Sequence, residues 1–212
     1  MRSTNPKSTG QSRYFIKYKE KQTDHDLVQV ALYENLAAFL GGPPNSYHHS
    51  LYSKWSEHDW GMIITGNVQV SHTHLAVGRD VVVPHHISDD SLRPFKQWAD
   101  AIHGGGHDSA ASKGVLAVMQ LSHAGRQSIN FFGGRLLLQP PLAPSAIRVG
   151  AHYPEWLSFI MHRVSFRTPR PMSIADIDDV VEGFVRGAKL AHMSGFDGVQ
   201  LHAAHGCKFL SL

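Results

Sequence analysis

The chain has 212 residues, of which 42% are hydrophobic, enough for one domain with a sizeable core. Lysine plus arginine number 20 and aspartate plus glutamate 17, and a net charge of +3 is too small to argue for nucleic acid as a partner. One cysteine excludes a disulfide scaffold and favours a reducing, cytoplasmic setting, and no apolar run has the length of a membrane span.

Much of the positive charge is local. Arg2, Lys7, Arg13, Lys17, Lys19 and Lys21 crowd the start, where Glu20 and Asp24 are the only acids, so residues 1–24 read as a polar, solvated tail. Residues 25–212 then form the domain. Leu27 to Leu32 is the first strand candidate. Ser46 to Trp60 carries Tyr47, Leu51 and Trp55 at helical spacing, with Gly61 as its stop. Met62 to Thr65 is a continuous apolar run ending in Gly66-Asn67, the pattern of a strand buried on both faces of a parallel sheet. A polar loop from Ser71 to Asp90 follows and contains Val81-Val-Val-Pro84.

Ser88 to Ser91 can cap a helix running through Leu92, Phe95, Trp98 and Ile102, with Gly104-Gly-Gly106 as terminator. Gly114 to Leu121 is a third buried strand, ending on Gln120 and His123. After it, roughly fifty residues rich in proline lack strong periodicity, the mark of a functional loop. Ser173-Ile-Ala-Asp176 opens a helix by its capping-box pattern, Ile177, Val180, Val181, Phe184, Ala188 and Ala191 continue it, and Gly195 ends it. Val199, Gln200 and Leu201 make the fourth strand. Strands alternating strictly with helices predict parallel β/α architecture.

In such an architecture the carboxyl ends of the strands converge on one face, which makes Asn67, Gln120 and His202 candidates for a shared pocket. Gln120 offers an amide donor and acceptor together, suited to the alternating edge of a pyrimidine-like ring; its plainer reading is a polar residue that ends a strand. His202 and His205 can donate two hydrogen bonds to one ligand oxygen, or be satisfied by backbone carbonyls. Arg126 fits either an anion or a carboxylate partner. The 16 histidines are scattered without metal-ligand spacing, so no metal site is expected.

Two long stretches, Met119-Gln-Leu-Ser-His-Ala-Gly-Arg-Gln127 and Gly195-Phe-Asp-Gly-Val-Gln-Leu-His-Ala-Ala-His-Gly206, closely resemble signatures of the Old Yellow Enzyme family, the NAD(P)H:flavin oxidoreductases or ene-reductases. Ile63-Ile-Thr-Gly-Asn67, Ala143-Pro-Ser145 and Pro171-Met-Ser173 add to the resemblance in the same order, which runs from about residue 25 to the end. The resemblance implies a TIM-type (β/α)8 barrel holding FMN at its carboxyl face, with NADPH or NADH as reductant and an enone-like small molecule as substrate. It also implies that Gln120 meets the pyrimidine edge of the flavin and that Ala31, Leu32 and the Thr65-Gly66-Asn67 turn line it. His202 and His205 would hydrogen-bond the substrate carbonyl. Cys207 stands where the family carries a proton-donating tyrosine; a thiol is an available acid of shorter reach than a phenol, and the plainer reading is a small apolar filler.

The alternation covers four strands, so only about the first four β/α units are expected, a truncated, amino-terminal half of the barrel. Flavin affinity in barrels draws on a phosphate site built after the last strands. The chain by itself is therefore expected to hold FMN poorly and to associate through open barrel edges. The alternative to an enzyme is an inactive remnant acting as a binding protein.

Overall fold

The computed structural model describes residues 26–104, 114–136, 139–149 and 156–203. The tail assigned to residues 1–24 lies outside them, as do His205 and Cys207. The main sheet has five parallel strands, four of them in the order β1 (Val28–Gln29), β2 (Met62–Gln69), β4 (Leu116–Ser122) and β7 (Gly198–Leu201). β3 (Val81–Val82) pairs with the far end of β2. Between the strands run α1 (Ser46–Ser56), α2 (Asp89–Ile102) and α4 (Ile174–Met193), so the expected α/β alternation is present.

Alternation along β4 shows where the layers lie. Ala117, Met119 and Leu121 are fully buried against the helices, while Val118 and Gln120 point to the opposite face. The core between sheet and helices is built from Ile63, Val68, Tyr52, Phe95, Trp98, Phe184 and Leu190. Trp98 lies edge-on to Tyr52 at 5.2 Å and to Phe196 at 5.9 Å, which ties α2 to α1 and to the turn before β7. At the amino ends of the strands, Asp197 accepts hydrogen bonds from the Ala117 N–H at 2.9 Å and from His103 Nε2 at 2.7 Å. No helix of the described residues is long and apolar enough to cross a membrane.

Several expected boundaries move. The first helix stops at Ser56 with Glu57 as its cap, not at Gly61. Gly61 N–H donates to Leu27 O at 2.8 Å and so starts the β1–β2 ladder instead of closing the helix. The strand expected from Leu27 to Leu32 shortens to two residues. The β2 N–H that would carry the ladder further, that of Gly66, is taken by the Tyr52 hydroxyl at 2.9 Å and by Glu34 Oε1 at 3.1 Å. β2 itself runs through Gly66-Asn67 to Gln69, and Val81–Val82, expected in a loop, extends the sheet beside that extra length.

Ser88 and Ser173 cap α2 and α4 as expected. Gly104, at φ +81°, follows the end of α2, while Gly105 and Gly106 lie outside the described residues. In the stretch expected to be irregular, the structure adds α3 (Trp156–Ser165) and a two-stranded ladder of β5 (Leu142–Ala143) with β6 (Arg170–Pro171). The spacing of Trp156, Ile160 and Val164, four residues apart each time, is the helical signal that the surrounding prolines masked.

Candidate active site

The site begins with a defect in β2. Its register against β4 advances from Ile64↔Val118 to Asn67↔Gln120, three residues on one strand against two on the other. This is a β-bulge at Thr65-Gly66. Simple alternation would turn Gly66 to the face occupied by Ile64; the extra residue turns Asn67 there instead. The broken ladder is repaired by side chains. Thr65 Oγ1 accepts from the Gln120 N–H at 3.0 Å, in place of a backbone carbonyl, and donates to Gly66 O at 2.9 Å. Gly66 N–H turns toward Glu34 and Tyr52, whose hydroxyl also donates to Glu34 Oε1. Glycine is required here by the close approach of Glu34 and of the Leu32 carbonyl, since a Cβ would stand 2.5 Å from Leu32 O.

The outcome is one level of amides across three strands. Asn67 pairs in register with Gln120, and Gln120 with Gln200. All three line a cleft of about 510 Å³ at the carboxyl ends of the strands, in the size range of small-molecule sites. Ala31, Leu32, Tyr33 and Ile64 form its apolar wall, and His202 lies at its edge, its N–H bonded to Leu121 O at 2.8 Å. The cleft thus gathers Ala31, Leu32, Asn67, Gln120 and His202; Arg126 lies apart, held by Ser145 Oγ and Ile147 O at 3.3 Å each. Gln200 was passed over in the sequence as a mid-strand residue. It lies two positions before His202, and the period of two that puts both on one face was the available signal.

No lysine, arginine, aspartate or glutamate lines this cleft among the described residues, so its polarity is that of amides, one phenol and one imidazole. Gln120 Nε2 donates to Gln200 Oε1 at 2.5 Å. Asn67 Oδ1 is buried and accepts no hydrogen bond among the described residues. A buried acceptor left open costs free energy unless a ligand supplies a donor. The set suits the edge of a planar heterocycle carrying N–H and C=O groups. Among the described residues it places no cation against a phosphate.

Two acids stand behind the wall. Burial raises the Tyr33 phenol far above its ordinary value, and the Asp80 carboxylate beside it adds to the shift, so Tyr33 stays neutral and donates to Asp80. Burial likewise pushes the Glu34 carboxyl above the usual carboxylate range, partly countered by the bonds from Tyr52 and the Gly66 N–H. A carboxyl raised in this way stabilises the fold fully below its unfolded pKa of about 4.3, and that contribution is lost as pH rises through the folded value. Glu34→Gln is therefore expected to gain stability relative to the parent chain as pH rises above about 4.3. Urea midpoints that move in parallel for the two proteins over that range would remove Glu34 as the cause.

The model of the NADH:flavin oxidoreductase / NADH oxidase family matches residues 16–211. An NADH-dependent flavin oxidoreductase of Neonectria sp. (strain DH2) is 38% identical over 183 residues, 85% of this chain and 22% of that protein. One of Hypocrea jecorina (strain QM6a) is 34% identical over 182 residues, 85% of this chain and 43% of that protein. The chain thus spans less than half the length of either relative. Among solved structures, the old yellow enzyme homologue from Zymomonas mobilis matches with a TM-score of 0.67 at 20% identity, over 91% of this chain and 48% of its own; that likeness is one of fold.

Proposed function

The chain belongs to the NADH:flavin oxidoreductase / NADH oxidase family, and from that premise we propose that its cleft holds the ring system of FMN for the NAD(P)H-dependent reduction of an enone-like alkene. The observation that carries this reading is the single level of Asn67, Gln120 and Gln200 across three strands, with the Asn67 oxygen buried and open. These amides fit the ring. Asn67 and Gln120 would hold the pyrimidine edge, with Ala31 and Leu32 against the apolar part.

Bound there, FMN would supply the hydride-transfer chemistry between NAD(P)H and the activated alkene. The chain's own task is at the other end of the conjugated system. His202, with His205, would donate hydrogen bonds to the substrate carbonyl oxygen and so stabilise the enolate charge that develops there. One such donor is typically worth about 10²–10³ in rate. Cys207 is at the position of the family's tyrosine; a thiol of ordinary pKa about 8.5 is an acid available there, of shorter reach than a phenol, and the plainer reading is a small apolar filler.

The test is a fluorescence titration of the purified chain with FMN and with riboflavin. Weak, saturable quenching is expected for both with similar affinity, because no positively charged side chain lines the cleft among the described residues. Asn67→Leu and Gln120→Leu should each weaken it. His202→Ala should leave flavin binding unchanged and lower the affinity of the flavin-loaded protein for phenols at least about tenfold, the loss of one charge-assisted hydrogen bond. No saturable flavin binding by the parent chain overturns the reading. Unchanged phenol affinity overturns the role of His202.

A second reading, interaction with another chain, has its own observation. Val28 and Leu201 on the two outer strands, and Val30 just beyond β1, are 43%, 55% and 61% exposed. Apolar residues clustered on outer strands favour association. Sedimentation is expected to show concentration-dependent association that Leu201→Lys reduces; a monomer at all concentrations would rule it out.

A further inference from the structure

Gln120 and Gln200 are register partners, and their carboxamides meet in the cleft through the bond from Gln120 Nε2 to Gln200 Oε1. A glutamine amide that turns over about its last torsion exchanges a donor for an acceptor at the same place. A cleft reading its ligand through Gln120 alone could offer either. The contact with Gln200 restricts that choice, since turning Gln120 alone would set two carbonyl oxygens against each other. Its nitrogen is committed to Gln200, which leaves the Gln120 carbonyl oxygen as the acceptor on the same level as Asn67, whose Oδ1 lies buried and open. Gln200, its oxygen occupied, keeps its own amide nitrogen as a donor.

We infer that Gln200 is a positioning residue: it fixes the Gln120 carboxamide so that the cleft presents carbonyl oxygens from Asn67 and Gln120 beside an amide donor, and thereby selects ligands with an imide-type edge, a ring N–H next to a C=O. The inference rests on the reading that a flavin ring occupies this cleft. Gln200 is exposed, so replacing it leaves the core intact. Gln200→Glu keeps an acceptor for Gln120 Nε2; Gln200→Leu removes it.

The experiment uses the full chain and two neutral probes without phosphate, lumiflavin and 3-methyllumiflavin, which lacks the imide N–H. The parent chain is expected to favour lumiflavin about three- to tenfold, the usual worth of one neutral hydrogen bond. Gln200→Leu should abolish most of that preference, and Gln200→Glu should retain it. In a Gln120→Ala background Gln200→Leu should change nothing, because Gln200 acts through Gln120. A preference that survives Gln200→Leu, or an equal loss in both backgrounds, overturns the inference.

A second measurement needs no ligand. In the ¹⁵N spectrum, the Gln120 side-chain amide, identified by its loss in Gln120→Ala, should have one proton shifted downfield and protected from exchange. Gln200→Leu should return it to ordinary values, and an unchanged signal overturns the contact. A parent chain that binds neither probe overturns the flavin reading, and this spectrum then decides the Gln120–Gln200 contact separately.

Discussion

Gly66→Ala is expected to destabilise the chain by about 3 kcal/mol or more, the upper range for overpacking against atoms that cannot yield. The added Cβ would stand 1.9 Å from Glu34 Oε2 and 2.5 Å from Leu32 O. The carboxylate can swing away, but the Leu32 carbonyl is backbone, so relief would require the segment after β1 to move away from β2. That movement would also displace Ala31 and Leu32 from the cleft wall and release the bulge that turns Asn67 inward. Denaturant midpoints check the first effect and flavin titration the second. Adding Glu34→Ala should restore only part of the stability, since the clash with Leu32 remains. A Gly66→Ala protein within about 1 kcal/mol of the parent would show that the close approach does not constrain the bulge.

The second large effect is expected at Asp80, which is 1% exposed. Its Oδ1 accepts from Gln69 Nε2 at 3.1 Å, its Oδ2 accepts from the Gly78 N–H at 3.1 Å, and the Tyr33 phenol also donates to it. Asp80→Ala strips the acceptor from all three. Each of the two buried donors left open, Gln69 Nε2 and the Gly78 N–H, costs about 1–3 kcal/mol, while the Tyr33 phenol, on a residue 39% exposed, can turn to water, so a total of about 3 kcal/mol is expected. Asp80→Asn keeps one acceptor oxygen and should cost clearly less. Since Tyr33 lines the cleft, the alanine variant should also bind flavin more weakly than its loss of stability explains, measured at temperatures where both proteins are folded. Equal stability of Asp80→Ala and the parent would show that the network carries no net free energy.

The elements most legible in the sequence were those with local signals. The caps at Ser88 and Ser173, the apolar run opening at Met62 and the helix through Val180 and Phe184 follow from spacing and hydrogen-bonding chemistry within a few residues, and the structure has them. α3 escaped because its helical spacing at Trp156, Ile160 and Val164 sits in a stretch flanked by prolines that read as loop. The first helix ends before Gly61 because that glycine can either stop a helix or open a strand, and the position of Leu27 in space decides between them.

Composition and motif order by themselves determined the parallel α/β class, the family resemblance and the convergence of Asn67, Gln120 and His202, because strand ends in such a sheet must share a face. What the tertiary structure decided is how those groups are aimed. The bulge at Thr65-Gly66 depends on Glu34 and Tyr52, distant in sequence, competing for one N–H. The pairing of Gln120 with Gln200 depends on the register of two strands 80 residues apart. Register and bulge position come from long-range hydrogen bonds, and a one-residue difference in either turns a side chain to the opposite face.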